Sequence, residues 1–114
     1  MELQFNTVDD GIRLIKLIGK LDIISTGEIK TKFMNHCAGD KVRMVVDLSE
    51  VDFLASIGVR LLVLSAKSVA KRGGKMIILN PIPEVQNMLE VTGISAIIPI
   101  YSHFESAETV LMAL

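Results

Sequence analysis

The chain has 114 residues, of which 50% are hydrophobic and 22% are charged, with a formal net charge of −1. This composition is typical of a folded globular protein, and the absence of any long Lys or Arg run argues against binding to nucleic acid or to an anionic membrane. The single cysteine, Cys37, excludes an internal disulfide, so we expect a reducing, cytoplasmic location. The apolar runs are far shorter than the roughly 20 residues of a membrane helix, which predicts no direct membrane insertion.

The first third of the chain predicts a hairpin followed by a helix. Apolar and polar residues alternate over Leu3–Thr7, Asp9–Gly11 forms a turn signal, and Ile12–Ile18 provides a second apolar strand. The two strands are therefore expected to be antiparallel neighbours. From Ser25-Thr26 onward the apolar spacing is helical, with Thr26 as the predicted N-cap and Gly39 as the predicted stop.

The rest of the chain alternates strands with helices. The predicted elements, in order, are a strand over Val42–Leu48, a helix over Ser56–Arg72, a strand over Lys75–Leu79, a helix from Pro83 to Gly93, a short strand over Ile97–Ile100 and a helix over Phe104–Leu114. This alternation indicates right-handed crossovers between parallel strands. We predict an α/β fold forming one domain over residues 1–114. Its mostly parallel central sheet has an antiparallel N-terminal hairpin, and helices cover the sheet.

The common catalytic motifs are incomplete in this sequence. Ser56 and Gly58 match the second half of the Gly-x-Ser-x-Gly nucleophile elbow, but Leu54 replaces the first glycine of that motif. The two histidines, His36 and His103, do not lie in a recognisable catalytic-triad context. A phosphate loop is also broken, because Gly74-Lys75 is followed by Met76 rather than by Ser or Thr. The sequence therefore predicts neither an enzyme nor a bound cofactor or metal.

Ser56 stands where a buried strand gives way to the longest predicted helix. One interpretation is a plain N-cap, and another is a phosphorylation site, since a phosphate there would meet free N–H groups and the positive end of the helix dipole. A second apolar stripe of this helix contains Ile57, Leu61 and Leu64. The stripe either packs under the next helix or is exposed beside Ser56, and base rates favour burial.

The residues around Ser56 resemble the signature of the STAS domain, the family of bacterial anti-sigma-factor antagonists. Ser56 falls on the phosphorylatable serine of that family, and Gly58 falls on its glycine. The other matching segments are Gly19–Asp22, Val46–Ser49, Val51–Leu54, Gly73-Gly74 and Leu89–Ile94. The similarity covers essentially the whole chain, and it implies the STAS-type fold.

The resemblance also implies a function in transcription regulation. It implies a non-enzymatic antagonist that binds an anti-sigma factor with serine-protein kinase activity and that is switched off when the kinase phosphorylates Ser56. A PP2C-type phosphatase would restore the unmodified form. The implied partner-binding residues are Asp22, Ala55, Ser56, Ile57, Gly58, Arg60 and Leu61. For Asp22, a role as the cap of the first helix is an equally open interpretation.

Two positions depart from the family pattern. Ala55 replaces the acid that usually precedes the serine, and Ile57 replaces a second small hydroxyl residue. These departures favour the alternative that the chain is an unphosphorylated scaffold subunit of a transporter or of another regulatory complex. The switch hypothesis requires the Ser56 side chain to lie on an accessible face that another protein can cover.

Overall fold

The computed structural model describes the backbone of residues 1–114 and the side chains of residues 1–8 and 10–114. Within this described part, five strands form one sheet in the order β1-β2-β3-β4-β5, and four helices pack against it. The strands are β1 (Glu2–Thr7), β2 (Arg13–Leu21), β3 (Arg43–Leu54), β4 (Lys75–Leu79) and β5 (Ile100–Tyr101). The helices are α1 (Ile23–His36), α2 (Ser56–Lys71), α3 (Pro83–Val91) and α4 (Phe104–Met112).

The sheet is parallel except at its first edge. β1 and β2 form an antiparallel hairpin in which Phe5 lies opposite Ile15, and every later pair of strands is parallel. The turn between β1 and β2 is a single 3-10 turn over Asp9–Gly11, with Gly11 at a φ of 77° that glycine adopts without strain. The predicted α/β fold with an antiparallel N-terminal hairpin is therefore confirmed.

The core lies on both faces of the sheet. Residues of α1, α2 and α3 pack on one face, where Phe33, Leu62 and Leu89 are almost fully buried. On the other face, α4 covers a smaller cluster through Ala107 and Leu111. Of the helices in the described part of the chain, none has the length and apolar character needed to cross a membrane.

Several element boundaries differ from the sequence-based expectation. The last strand is Ile100–Tyr101 and not Ile97–Ile100, because the N–H groups of Ile97 and Ile98 bond to the carbonyl oxygen of Ile94. α1 begins at Ile23, not at Thr26, because the Asp22 side chain caps it, and Thr26 is instead buried inside the helix. β3 continues past Leu48 to Leu54 because it remains paired with β2, with two register shifts that keep the strands together. The strand that supports the site is therefore 12 residues long.

The carboxyl end of α1 is held by two arginines from other elements. Arg13 donates to the carbonyl oxygen of His36 over 2.8 Å, and Arg72 donates to that of Cys37 over 2.7 Å. The His36 ring also stacks on Phe5, with 3.9 Å between the ring centroids. Burial raises the pKa of the Cys37 thiol to about 11. His36 and Cys37 thus form the end of α1, with Cys37 as the C-cap residue.

Candidate functional site

The candidate site lies where the parallel strands β2 and β3 end side by side. Leu21, the last residue of β2, lies opposite Leu54, the last residue of β3. The backbone N–H of Ala55 donates to the carbonyl oxygen of Leu21 over 2.9 Å. Asp22 and Ala55 are the N-caps of α1 and α2, so the two helices start next to each other at this edge of the sheet.

Ser56 is the first residue of α2, and its side chain is exposed. The interpretation of Ser56 as the N-cap is wrong, because Ala55 occupies that position, and Ala55 has no side chain that could cap the helix. The carbonyl oxygen of Ala55 accepts from the N–H groups of Gly58 and Val59, at 3.0 and 3.2 Å. The N–H groups of Ser56 and Ile57 precede these donors and have no acceptor within the helix. Ser56 therefore combines an accessible hydroxyl with nearby unpaired backbone donors.

Gly58 explains how α2 begins so close to the strand ends. A Cβ atom on Gly58 would lie 2.9 Å from Cδ1 of Leu54, 3.0 Å from Cβ of Leu21 and 3.2 Å from the Leu21 carbonyl oxygen. Real Cβ atoms rarely approach other atoms this closely. Gly58 is buried, so its contribution to the site is close packing and not a contact surface.

Asp22 has a capping role that the structure shows directly. Its Oδ1 accepts from the backbone N–H of Ser25 over 2.8 Å. This hydrogen bond is the main reason why the pKa of the Asp22 carboxyl lies below its ordinary value. The capping interpretation of Asp22 is confirmed, while its implied contact with a partner remains a prediction.

Exposed apolar side chains surround the start of both helices. Ile23 and Ile24 on α1 are 73% and 76% exposed, and Ile57 on α2 is 41% exposed. Phe53 on β3 is also exposed, with the Lys20 ammonium 5.9 Å from its ring centre. We define Ser56, Ile23, Ile24 and Ile57, which all lie in the first turns of α1 and α2, as the Ser56 surface. An exposed apolar area of this kind is typical of a protein interaction site.

The second apolar stripe of α2 is only partly buried. Leu61 is 5% exposed, as base rates favour, but Ile57 and Leu64 are exposed, so the expectation of burial is wrong for these two residues. Arg60 lies between them along the helix and is also exposed. The sequence reasoning missed Ile23 and Ile24, because it began the first helix at Ser25-Thr26 and these two residues belong to the first turn of α1.

Comparisons with known proteins identify the family of this chain. Residues 6–107 match the family model described as the STAS domain. The chain belongs to the STAS family. Along its sequence, this STAS protein is similar to BtrV of Bordetella bronchiseptica, which is named a candidate anti-sigma factor antagonist. The two are 24% identical over 107 residues, a segment that covers 94% of this chain and 91% of BtrV.

Solved structures of other STAS proteins share the fold. An anti-sigma-factor antagonist (STAS) domain protein from Planctomyces limnophilus superimposes with a TM-score of 0.85 at 22% identity, over 96% of both chains. The phosphorylated form of the Bacillus cell fate determinant SpoIIAA superimposes with a TM-score of 0.71 at 22% identity, over 96% of this chain and 99% of SpoIIAA. At this level of identity, the likeness establishes a common fold.

Proposed function

We propose that this STAS protein is an anti-sigma-factor antagonist that acts by binding and not by catalysis. In the unmodified form, the Ser56 surface docks on an anti-sigma factor that is also a serine kinase. Phosphorylation of Ser56 ends that docking, and a PP2C-type phosphatase reverses the modification. The observation that carries the proposal is the exposed Ser56 hydroxyl at the start of α2, surrounded by exposed apolar side chains.

The apolar part of the surface accounts for docking of the unmodified form. Burying apolar area contributes about 25 cal/mol per Å² before the costs of association are subtracted. Ile23, Ile24 and Ile57 are 73%, 76% and 41% exposed, so covering them would remove apolar area from water. Because these side chains belong to the first turns of two helices anchored on adjacent strands, little ordering would be needed on binding.

The modification changes the charge at the centre of this surface. A phosphate on Ser56 would carry a charge of about −1.5 to −2 and would accept hydrogen bonds from the unpaired N–H groups at the start of α2. The same charge is unfavourable against an apolar interface, because it would have to be desolvated there. Phosphorylation would therefore be tolerated by the free protein and would oppose the complex.

Phosphorylation of Ser56 would need a partner kinase. Neither histidine belongs to the first turn of α2, since His36 is the last residue of α1 and His103 is the residue before α4. A partner kinase would transfer the terminal phosphoryl group of ATP to Oγ of Ser56, taking the hydroxyl proton on its own base and releasing ADP. A phosphatase would then hydrolyse the phosphoserine with water and release inorganic phosphate.

The test uses the anti-sigma kinase encoded nearest to the gene for this protein. We expect incubation with this kinase and ATP to place one phosphate on Ser56, as mapped by mass spectrometry. We expect Ser56→Asp to weaken binding to the kinase at least tenfold in calorimetry, and Ser56→Ala to bind like the unmodified protein. Ser102→Asp, at an exposed serine just before α4, is the matched control and should bind normally.

Two outcomes would decide against the switch. An unphosphorylated Ser56 together with unchanged binding by Ser56→Asp would refute it. If the chain co-purifies with a transporter or ATPase subunit and Ser56→Ala and Ser56→Asp leave that complex intact, the scaffold alternative is correct instead.

A further inference from the structure

An open groove of about 340 Å³ runs between α1 and α2, and Ile57, the residue that follows Ser56, is part of its lining. We call it the α1–α2 groove. Its lining residues are Ile23, Thr26, Gly27, Lys30, Met34, Ile57, Arg60, Leu61 and Leu64. Several of its apolar residues are left open to solvent, including Leu64, which is 49% exposed. Contact of this apolar lining with water is unfavourable, so a partner that covers the groove would be stabilised by burying it.

The floor and wall of the groove allow a close approach. Thr26 and Leu61 are almost completely buried and form the floor. Gly27 forms part of the α1 wall, and no atom other than the adjoining backbone of α1 lies within 4 Å of the position that a Cβ atom on Gly27 would take. The backbone of α1 is thus accessible at Gly27, and a partner element could approach it more closely than at a residue with a side chain.

The charged residues of the groove are both positive. Lys30 contributes from α1 and Arg60 from α2, and the lining contains no acidic residue. Within the described part of the chain, the ion pairs are Lys16–Glu50 and Lys20–Asp52, so neither Lys30 nor Arg60 is neutralised by a paired carboxylate. The groove therefore has an apolar base and two free cations, and its electrostatic complement is an apolar segment that carries carboxylates.

We propose that the α1–α2 groove binds an amphipathic helix of the anti-sigma partner, which makes the inference rest on the proposed function. Apolar residues of this helix, spaced at i, i+3 or i+4, and i+7, contact Met34, Ile57 and Leu64, and its Asp or Glu side chains pair with Lys30 and Arg60. The groove favours a helix over an added strand, because the free edges of the sheet are β1 and β5, and neither lines it. It also favours a macromolecule over a small ligand, since its walls are too open to enclose one.

The position of Arg60 connects the groove with Ser56. Arg60 follows Ser56 by four residues in α2, and side chains at this spacing are neighbours on a helix surface. A phosphate on Ser56 would attract the Arg60 guanidinium and compete with a carboxylate of the docked helix for it. Phosphorylation would then weaken the groove contact as well as the apolar contact.

The test measures binding of the same anti-sigma kinase by calorimetry. The double variant Lys30→Glu/Arg60→Glu should bind at least tenfold more weakly than the unmodified protein. The matched control is Lys67→Glu/Lys71→Glu, which makes the same change in net charge at two exposed lysines of α2 that do not line the groove. This control should bind within threefold of the unmodified protein, and circular dichroism should show the same fold for all proteins.

A second measurement locates the occupant. The photoreactive residue p-benzoylphenylalanine is placed at position 64 instead of Leu64. Irradiation of the complex should then give crosslinks to a partner segment with helical apolar spacing and acidic residues. The same label in place of the exposed Val91 on α3 should give no such crosslinks.

If Ser56→Asp abolishes binding but the charge reversal has no effect, the groove proposal is wrong and the proposed function stands. If the unmodified protein does not bind the kinase, both are wrong. Crosslinks only to a second copy of the chain would also overturn the groove proposal.

Discussion

The backbone N–H of Ala55 donates to the carbonyl oxygen of Leu21 over 2.9 Å, and this bond joins the residue before α2 to the last residue of β2. It places the starts of two helices at one edge of the sheet, although they are more than 30 residues apart in the chain. The side chains that we propose as the docking surface therefore rest on a pair of parallel strands at the centre of the fold.

Gly58→Ala tests whether α2 must begin in direct contact with the strand ends. We expect the free energy of unfolding to fall by about 1 to 2 kcal/mol, because the added methyl group would overpack against Leu21 and Leu54. This loss exceeds the gain in helix propensity from replacing glycine, which is at most about 1 kcal/mol. Urea unfolding followed by circular dichroism measures the difference.

Gly27→Ala is the matched control for that substitution. A Cβ atom on Gly27 would have no neighbour within 4 Å, so only the helix propensity changes. The free energy of unfolding should rise by about 0.5 to 1 kcal/mol. Equal effects at the two glycines would show that the close packing of Gly58 has no energetic consequence.

The Asp22 cap should make stability depend on pH in the acidic range. The hydrogen bond from the Ser25 N–H is the main cause that lowers the pKa of Asp22 in the folded protein. The ionised Asp22 carboxylate therefore stabilises the fold fully at pH values above 3.8, the pKa of Asp22 in the unfolded chain. The contribution is lost as the pH falls from 3.8 through the folded pKa. The melting temperature of the unmodified protein should therefore fall more steeply below pH 4 than that of Asp22→Asn, which caps without titrating. Asp40→Asn, in the loop after α1, should follow the unmodified protein.

Thr26→Val should stabilise the protein. Thr26 is 3% exposed, and its Oγ1 has no hydrogen-bond partner among the described residues. A buried hydroxyl without a partner costs about 1 to 3 kcal/mol relative to an apolar group of the same shape, so we expect a gain of about 1 kcal/mol in the free energy of unfolding. Thr31→Val, at an exposed position of α1, should change it by less than about 0.5 kcal/mol. A loss of stability in Thr26→Val would mean that this hydroxyl is hydrogen-bonded in solution.

His36 should make the protein less stable as the pH falls below neutrality. Burial and the nearby Lys32 and Arg13 lower the pKa of His36 from its ordinary value of 6.5. The unfolded chain therefore binds a proton at His36 more readily than the folded protein does. The contribution of neutral His36 to the free energy of unfolding is full above pH 6.5 and is lost as the pH falls towards the pKa of His36 in the folded protein. Between pH 7.5 and 5, His36→Phe, which keeps the ring against Phe5, should lose less stability than the unmodified protein. As a control, His103→Gln, at an exposed position, should lose as much stability as the unmodified protein over the same pH range.

The alternation of strands and helices could be predicted because each element carries its own apolar period. Lys75–Leu79 is a short apolar run between two glycines and a turn, and the structure confirms these limits for β4. The start of α1 could not be read in the same way, since Asp22, Ser25 and Thr26 are all suitable caps. Only the bond from Ser25 N–H to Asp22 decides among them.

The site was predictable in position but not in accessibility. Ser56 was identified from the strand-to-helix transition, whereas its placement as the first helical residue depends on the contact between Ala55 and Leu21. The exposure of Ile57 and Leu64 depends on how α1 and α2 are spaced across the sheet. That spacing is a tertiary property, and the apolar pattern of one helix does not contain it.

The short last strand has a consequence for local unfolding. β5 pairs with β4 at two positions, Ile78 with Ile100 and Leu79 with Tyr101, whereas β2 pairs with β3 at eight positions despite two register shifts. Hydrogen exchange should therefore be faster in β5 and α4 than in β3, as expected for a cooperative unit of low stability at the carboxyl end. The chain can open at that end while Ser56 keeps its native setting.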